Sequence, residues 1–232
     1  MSMRKIDLHT HVLPGIDDGS ASVEESKTIL QLLKQQGLTD VCLTPHFYAH
    51  RMSMEKFLAR REHAFEQIAD SFTQLGLTPH MGAEVFFEDS LFGSDTLTPL
   101  CLDGGSYILI ELSSATTDEK WVKDHLNRLF ANYSVIPILV HLERYRHFFR
   151  DDFLEEILQM GCHVQFDIGA LAYRWQRKHI LHMLDNGLIE LVGSDCHDSI
   201  KRPPNFDLLQ KYLPQEWIDT LFKNNDHILL DM

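Results

Sequence analysis

Residues 6–20 read IDLHTHVLPGIDDGS, an apolar opening that carries two histidines and, a few positions on, two aspartates. On an extended strand His9 and His11 leave the same face and can grip one cation. A pair of imidazoles does not complete a coordination sphere. The stretch therefore asks whether later segments bring further ligands to the same place.

Apolar runs of strand length recur at IDLHTH, DVCLTPH, PHMGAEVFF, YILIEL, VIPILVH, HVQFDIGA and IELVGSD. Patterns of helical period separate most of them, at Val23 to Gln35, Met54 to Leu75, Lys120 to Ala131, Asp152 to Met160 and Gln176 to Asn186. Gly37, Gly76, Gly161 and Gly187 follow four of these helices, where a left-handed capping residue is expected. Strands alternating with helices predict right-handed crossovers and a parallel sheet with covered faces, an α/β fold. His9 with His11, His46, Glu84, Glu111, His141 and Asp195 each fall at or just past the end of a different strand run. A barrel gathers such ends on one face. The expected architecture is thus a distorted seven-stranded (β/α)7 barrel of TIM-like form, with a metal site at the C-terminal ends of its strands. The even scatter of Gly and Pro offers no linker, so residues 1–232 are read as one domain. Phe86 to Gly105 lacks strong periodicity and reads as a loop rimming that face.

A net charge of −13 disfavours nucleic acid and anionic membrane as partners. No apolar stretch approaches the ~18 residues of a spanning helix, and MSMRKID is not followed by the apolar core of an export signal. Cys42, Cys101, Cys162 and Cys196 stand far apart with no CxxC pair, which implies no disulfide framework and points to a reducing cytoplasm.

Glu84 can bridge two cations, Asp195 can hold the first beside His9 and His11, and Glu111 with His141 can complete a second. Asp18, His46 and His197 remain as a set of three, so the count favours three clustered ions. Asp18, Glu84, Glu111 and Asp195 bring four negative charges against six positive, leaving a cationic centre suited to a phosphate monoester dianion. Unpaired polar groups at so many strand ends would otherwise bear a heavy desolvation cost.

The set IDLHTH, DDG, TPH, GAE, HLERY and GSDCH resembles the polymerase and histidinol phosphatase (PHP) superfamily of metal-dependent phosphoesterases. DLHTHVLPGIDDG with HLERY is similar, more narrowly, to its bacterial tyrosine phosphatase branch of capsular and exopolysaccharide synthesis, the CpsB/CapC-like proteins. The resemblance runs from about Lys5 to Pro203. It implies a PHP-type barrel holding three divalent ions, commonly Mn2+, with Fe, Zn, Co or Mg also compatible with such ligands. The first ion would be held by His9, His11, Glu84 and Asp195, the second by Glu84, Glu111 and His141, and the third by Asp18, His46 and His197. Histidinol phosphatases more often carry histidine at the places of Asp18 and Glu111, which favours the tyrosine phosphatase branch. The substrate implied is a phosphotyrosyl protein, the C-terminal tail of an autophosphorylating tyrosine kinase. Related capsule phosphatases can assemble through an acidic and basic contact in the first helix. EESKTILQ supplies Glu24 and Glu25 without a nearby arginine, so no ring-like assembly is implied.

The chemistry expected is attack on phosphorus by a hydroxide bridging two ions. Arg144 and Arg202 are the expected partners for the phosphoryl oxygens, positions at which the resemblance also places phosphate-binding arginines. Phenolate, with a pKa near 10, leaves without a dedicated acid, and His50 and Asp198 are the nearest candidates for a helper. Phe86, Phe87 and Phe92 are candidates for contact with a substrate ring or for loop core. Cys196 and Arg202 match the C-x5-R spacing of cysteine-nucleophile phosphatases. The intervening HDSIK has no glycine, however, and Pro203 and Pro204 remove amide donors, so thiol catalysis is not expected. The alternatives are a phosphomonoesterase acting on histidinol phosphate or a sugar phosphate, and a non-catalytic metal-stabilised regulatory or scaffold protein. A nuclease would require a basic groove.

Overall fold

A computed structural model describes residues 3–113, 115, 118–145 and 150–230. Its strands are β1 (Ile6–Thr10), β2 (Asp40–Leu43), β3 (His46–Phe47), β4 (Thr78–Met81), β5 (Glu84–Phe86), β6 (Tyr107–Glu111), β7 (Ile136–Leu139), β8 (His163–Asp167) and β9 (Leu191–Gly193). Its helices are α1 (Val23–Gln35), α2 (Met54–Glu66), α3 (Ala69–Leu75), α4 (Glu119–Arg128), α5 (Asp151–Gln159), α6 (Arg174–Asp185), α7 (Asp207–Tyr212) and α8 (Gln215–Leu230).

All strand pairs are parallel, as the alternation of strand and helix predicts. One ladder runs β1-β2-β4 and the other β3-β5-β6-β7-β8-β9. The chain passes from β2 to β3 across Thr44 and Pro45, and from β4 to β5 across Gly82 and Ala83. Asp40 pairs with Thr78 before these breaks and His46 with Glu84 after them, the same offset along the chain. Pro45 has no N–H to give to a ladder. Arg61 Nη1 takes the Gly82 carbonyl at 2.5 Å, and a Cβ on Gly82 would come within 2.8 Å of Leu102 Cδ2. At the opposite edge Asp195 N donates to His9 O and His11 N to Cys196 O, both at 2.9 Å. The result is a curled parallel sheet with its strand ends turned to one face.

Alternation along the strands divides the apolar residues. Ile6, Leu8, Cys42, Leu109, Ile138 and Leu191 form a smaller cluster joined by Ile228 and Leu229 of α8, while the larger core packs the other strand faces against the helices. Asn225 of α8 donates to Ile6 O and Val192 O and accepts from Val192 N, tying that helix across β1 and β9. Ser22 caps α1 by accepting from Glu25 N, and Ile29, Leu30 and Leu33 supply its buried face. The register of β1 slips between Asp7 and Thr10, a bulge that re-aims its end.

Gly37, Gly76, Gly161 and Gly187 take the predicted left-handed conformation. Other expectations change. The Met54 to Leu75 pattern is two helices, because Ile68 leaves helical geometry (φ −124°, ψ 0°) with its side chain buried. The Lys120 to Ala131 segment ends in a wider-wound turn at Leu129–Tyr133. Helices α7 and α8 lie outside the periodic segments read from sequence. Phe86 to Gly105 opens in β5 and then makes three short 3-10 turns anchored by buried Leu91, Leu100 and Leu102, so it is packed structure as well as rim. Among the described residues no helix is long and apolar enough to cross a membrane.

Candidate metal and phosphate site

The bulged end of β1 sets His9 and His11 with their Nε2 atoms 3.2 Å apart. Glu84 Oε2, at the start of β5, lies 3.2 Å from His9 Nε2 and 3.1 Å from His11 Nε2. Asp195 Oδ1, just past β9, lies 3.7 and 3.3 Å from the same two nitrogens. Four donors sharing one cation at about 2.1 Å stand roughly 3–3.5 Å from each other, so this spacing is that of a coordination shell. Glu84 Oε2 and Asp195 Oδ1 are buried and make no hydrogen bond. Such orphaned oxygens are costly unless a cation faces them. The residues present fit a divalent ion.

The other candidates lie around this group. His141 Nε2 is 2.5 Å from Glu84 Oε1 and 4.0 Å from Glu111 Oε1, while His46 Nδ1 is 2.9 Å from Glu84 Oε2 and 3.8 Å from Glu111 Oε2. His11, His46 and His197 form a second possible cation group, with Asp18 Oδ1 3.4 Å from His46 Nε2 and 3.7 Å from His197 Nε2. The Asp18 side chain is 70% exposed, so it stands at the outer edge. His197 Nε2 is buried without a partner. Burial and the neighbouring His11 push the His197 pKa down to about 4, which keeps a lone pair available. All nine sequence-derived ligands are therefore gathered at one face.

Three supports were missed by sequence reasoning. Asp17 Oδ2 holds His11 Nδ1 at 2.8 Å, and Asp167 Oδ2 holds His141 Nδ1 at 2.7 Å. Gln165 Nε2 lies 3.1 Å from His9 Nδ1 while its Oε1 is buried and unpartnered. Turning that amide over lets Gln165 Oε1 accept from a protonated His9 Nδ1, which leaves the lone pair of His9 Nε2 free for a cation. Asp17 was the neighbour of a chosen aspartate; Gln165 and Asp167 share the alternation of β8.

Burial alone would raise the Glu84 pKa, but His9 and His141 opposite hold it well below the usual carboxylate range. Burial would likewise lower His11 and His141, but Asp17 and Asp167 hold them well above the usual imidazole value. His141 and Asp195 adopt left-handed backbone, φ 57° and 51°. For residues other than glycine this costs about 1–2 kcal/mol each. Arg144 Nη2 donates to Asp195 Oδ2 at 2.9 Å, and Arg202 Nη2 donates to the same oxygen. Both expected phosphate partners thus flank the ligand group while their side chains remain partly exposed, at 42% and 41%.

Asp198 accepts backbone N–H bonds from Ile200 and Lys201 and holds the loop that carries Arg202. His50 is bound by Glu88, 2.8 Å from Nδ1. Cys196 is fully buried, and burial pushes its thiol far above the ordinary value, so it presents no thiolate. Phe87 is core and Phe92 packs against that core, whereas Phe86 faces the mouth beside Tyr48.

The family description "Capsular polysaccharide synthesis, CpsB/CapC" matches residues 5–231. The tyrosine-protein phosphatase CpsB of Streptococcus pneumoniae is 28% identical over 97% of this chain and 98% of its own. The putative tyrosine-protein phosphatase CapC of Staphylococcus aureus is 27% identical over 85% of this chain and 79% of its own. A crystal structure from work on YwqE of Bacillus subtilis and CpsB of S. pneumoniae, described as metal-dependent tyrosine phosphatases, aligns with a TM-score of 0.80 at 20% identity, covering 98% of this chain and 95% of that one. The chain belongs to the CpsB/CapC family of capsular polysaccharide synthesis proteins.

Proposed function

We propose that this protein is a metal-dependent protein-tyrosine phosphatase. The observation that carries the reading is the convergence of two arginines on Asp195 Oδ2 while the other oxygen of that carboxylate faces the cation-spaced group of His9, His11 and Glu84. Its relatives' names, tyrosine-protein phosphatase, support the same activity. Counting β2 with β3 and β4 with β5 as single paths, and joining β9 to β1 through Thr10 and Cys196, supports a closed seven-stranded barrel of PHP type, one domain over residues 1–232.

His9, His11, Glu84 and Asp195 would hold a first ion, Glu84, Glu111 and His141 a second, and Asp18, His46 and His197 a third. Mixed imidazole and carboxylate donors suit Mn2+, and also Fe, Zn, Co or Mg. When bound, divalent ions activate water and stabilise charge on phosphoryl oxygens. Arg144 and Arg202 bind those oxygens and orient the ester, with Asp195 as their shared anchor. Asp17, Asp167 and Gln165 fix the rings of His11, His141 and His9. The leaving phenolate needs no strong acid. The substrate proposed for this protein, acting in the cytoplasm, is a phosphotyrosyl protein, the C-terminal tail of an autophosphorylating tyrosine kinase that controls capsule or exopolysaccharide synthesis.

The test is the initial rate on a phosphotyrosyl peptide by Mn2+-loaded protein, beside the same protein stripped of metal. Metal-dependent turnover supports the proposal. No turnover by metal-replete protein turns the reading to small phosphomonoesters, and activity that survives complete stripping overturns the metal chemistry.

A further inference from the structure

Among the described residues, three cavities open around the ligand group. One, of about 350 Å3, contains Arg144, Arg202, Asp195 and Lys201, and its remaining lining includes the polar Gln176 and Asn205. A second, of about 420 Å3, reaches Asp18 and His46, but its Arg60 is committed to the Ile16 carbonyl at 2.9 Å. A third, of about 380 Å3, has Glu111 and Arg144 at one side and the rings of Tyr48, Phe86 and Tyr145 with Leu112 in its walls, beside the polar His50, Arg51 and Ser113.

Resting on the phosphatase reading above, we infer that this third cavity receives the aryl ring of the substrate ester, with Tyr48 and Phe86 as the residues that select it. The Tyr48 and Phe86 rings stand 5.4 Å apart at 40°, one contiguous aromatic wall. Arg51 stacks over Tyr48 at 4.4 Å, and His50, held by Glu88, meets Phe86 edge-on. The wall is therefore braced before any ligand arrives. The facing side is fixed as well, since the Tyr145 hydroxyl donates to Leu112 O at 2.6 Å. Arg144 borders both this slot and the first cavity, so an anion bound at Arg144 can send its ester substituent into the slot. A flat ring gains there from both dispersion and quadrupole contacts, whereas an alkyl group of the same reach gains from dispersion alone. The volume suits a substituted ring.

Binding of non-hydrolysable phosphonates separates this inference from the phosphatase reading. Mn2+-loaded protein is titrated by calorimetry with phenylphosphonate and with cyclohexylphosphonate, an alkyl compound of the same reach. Wild type is expected to prefer the phenyl compound about tenfold. The double variant Tyr48→Ala with Phe86→Ala is expected to lose that preference, while Tyr48→Phe keeps it. The single change Phe86→Leu, which preserves apolar bulk, is expected to reduce it about threefold and serves if the double variant does not fold. Equal affinities in wild type, or a preference untouched by these variants, overturn the slot. A phenyl preference in a protein that does not hydrolyse phosphotyrosyl peptide keeps the slot and discards the phosphatase reading.

Discussion

His80 lies away from the ligand group and offers the most quantitative stability test. Its Nδ1 is 2.6 Å from Asp103 Oδ2 and its Nε2 is 3.1 Å from Asp40 Oδ1. Arg4 joins Asp40 at 2.5 Å and Asp226 at 3.1 Å, so one cluster ties the start of the chain to β2, β4 and α8. Burial lowers the His80 pKa, but the two carboxylates outweigh it and raise the value from 6.5 to about 9. A pKa raised on folding means that the protonated imidazole stabilises the native state. That contribution is fully present below pH 6.5 and is lost as pH rises through about 9. The gap corresponds to at most about 3 kcal/mol. Asp103 is 36% exposed, and solvent screening there reduces the contribution to about 1–2 kcal/mol. Denaturant unfolding of wild type and His80→Gln, at constant metal from pH 6 to 10, should show a gap of that size at pH 6 that closes toward pH 10. Asp103→Asn, which tolerates the left-handed backbone at this position (φ 45°), should move the His80 NMR titration midpoint down toward 6.5. Parallel stability curves for wild type and His80→Gln would refute the reasoning.

Other changes probe the site itself. Gln165→Leu should weaken metal affinity about 10–100-fold in a chelator competition, because His9 loses the partner of its Nδ1; unchanged affinity would rule out that support. Gly19→Ala would place a Cβ 2.2 Å from His11 O, a backbone atom that cannot swing aside. A loss of about 2 kcal/mol or more in stability, with weakened metal binding, is expected from calorimetry. Cys196→Ser should keep turnover within several-fold and lower stability by about 1 kcal/mol, since the thiol is buried beside the site without serving it. A hundredfold fall in rate with metal content intact would restore thiol catalysis.

What the sequence revealed and what it concealed follow from the range of each signal. The strand and helix periods and the four capping glycines are local, and they gave the parallel α/β order and the strand ends at which the histidines and carboxylates stand. The break at Ile68 is not local, because the burial of that side chain belongs to tertiary packing. Asp17 and Asp18 are chemically alike and adjacent. Asp17 turns inward because it accepts from Gly19 N at 2.9 Å and His46 N at 3.0 Å, and the second of these bonds exists only once the strands are assembled. Gln165 supports a histidine near the other end of the chain, a pairing that no local pattern announces. The two phenylalanines after Glu84 are different. Phe87 N continues the ladder by donating to Glu111 O at 2.8 Å, so both residues lie on one extended path. Successive side chains on such a path face opposite ways. With Phe87 committed to the core against Trp121, Phe86 has to face the mouth. Strand alternation, once packing shows which side is core, therefore splits the FF pair into one core ring and one ring at the mouth.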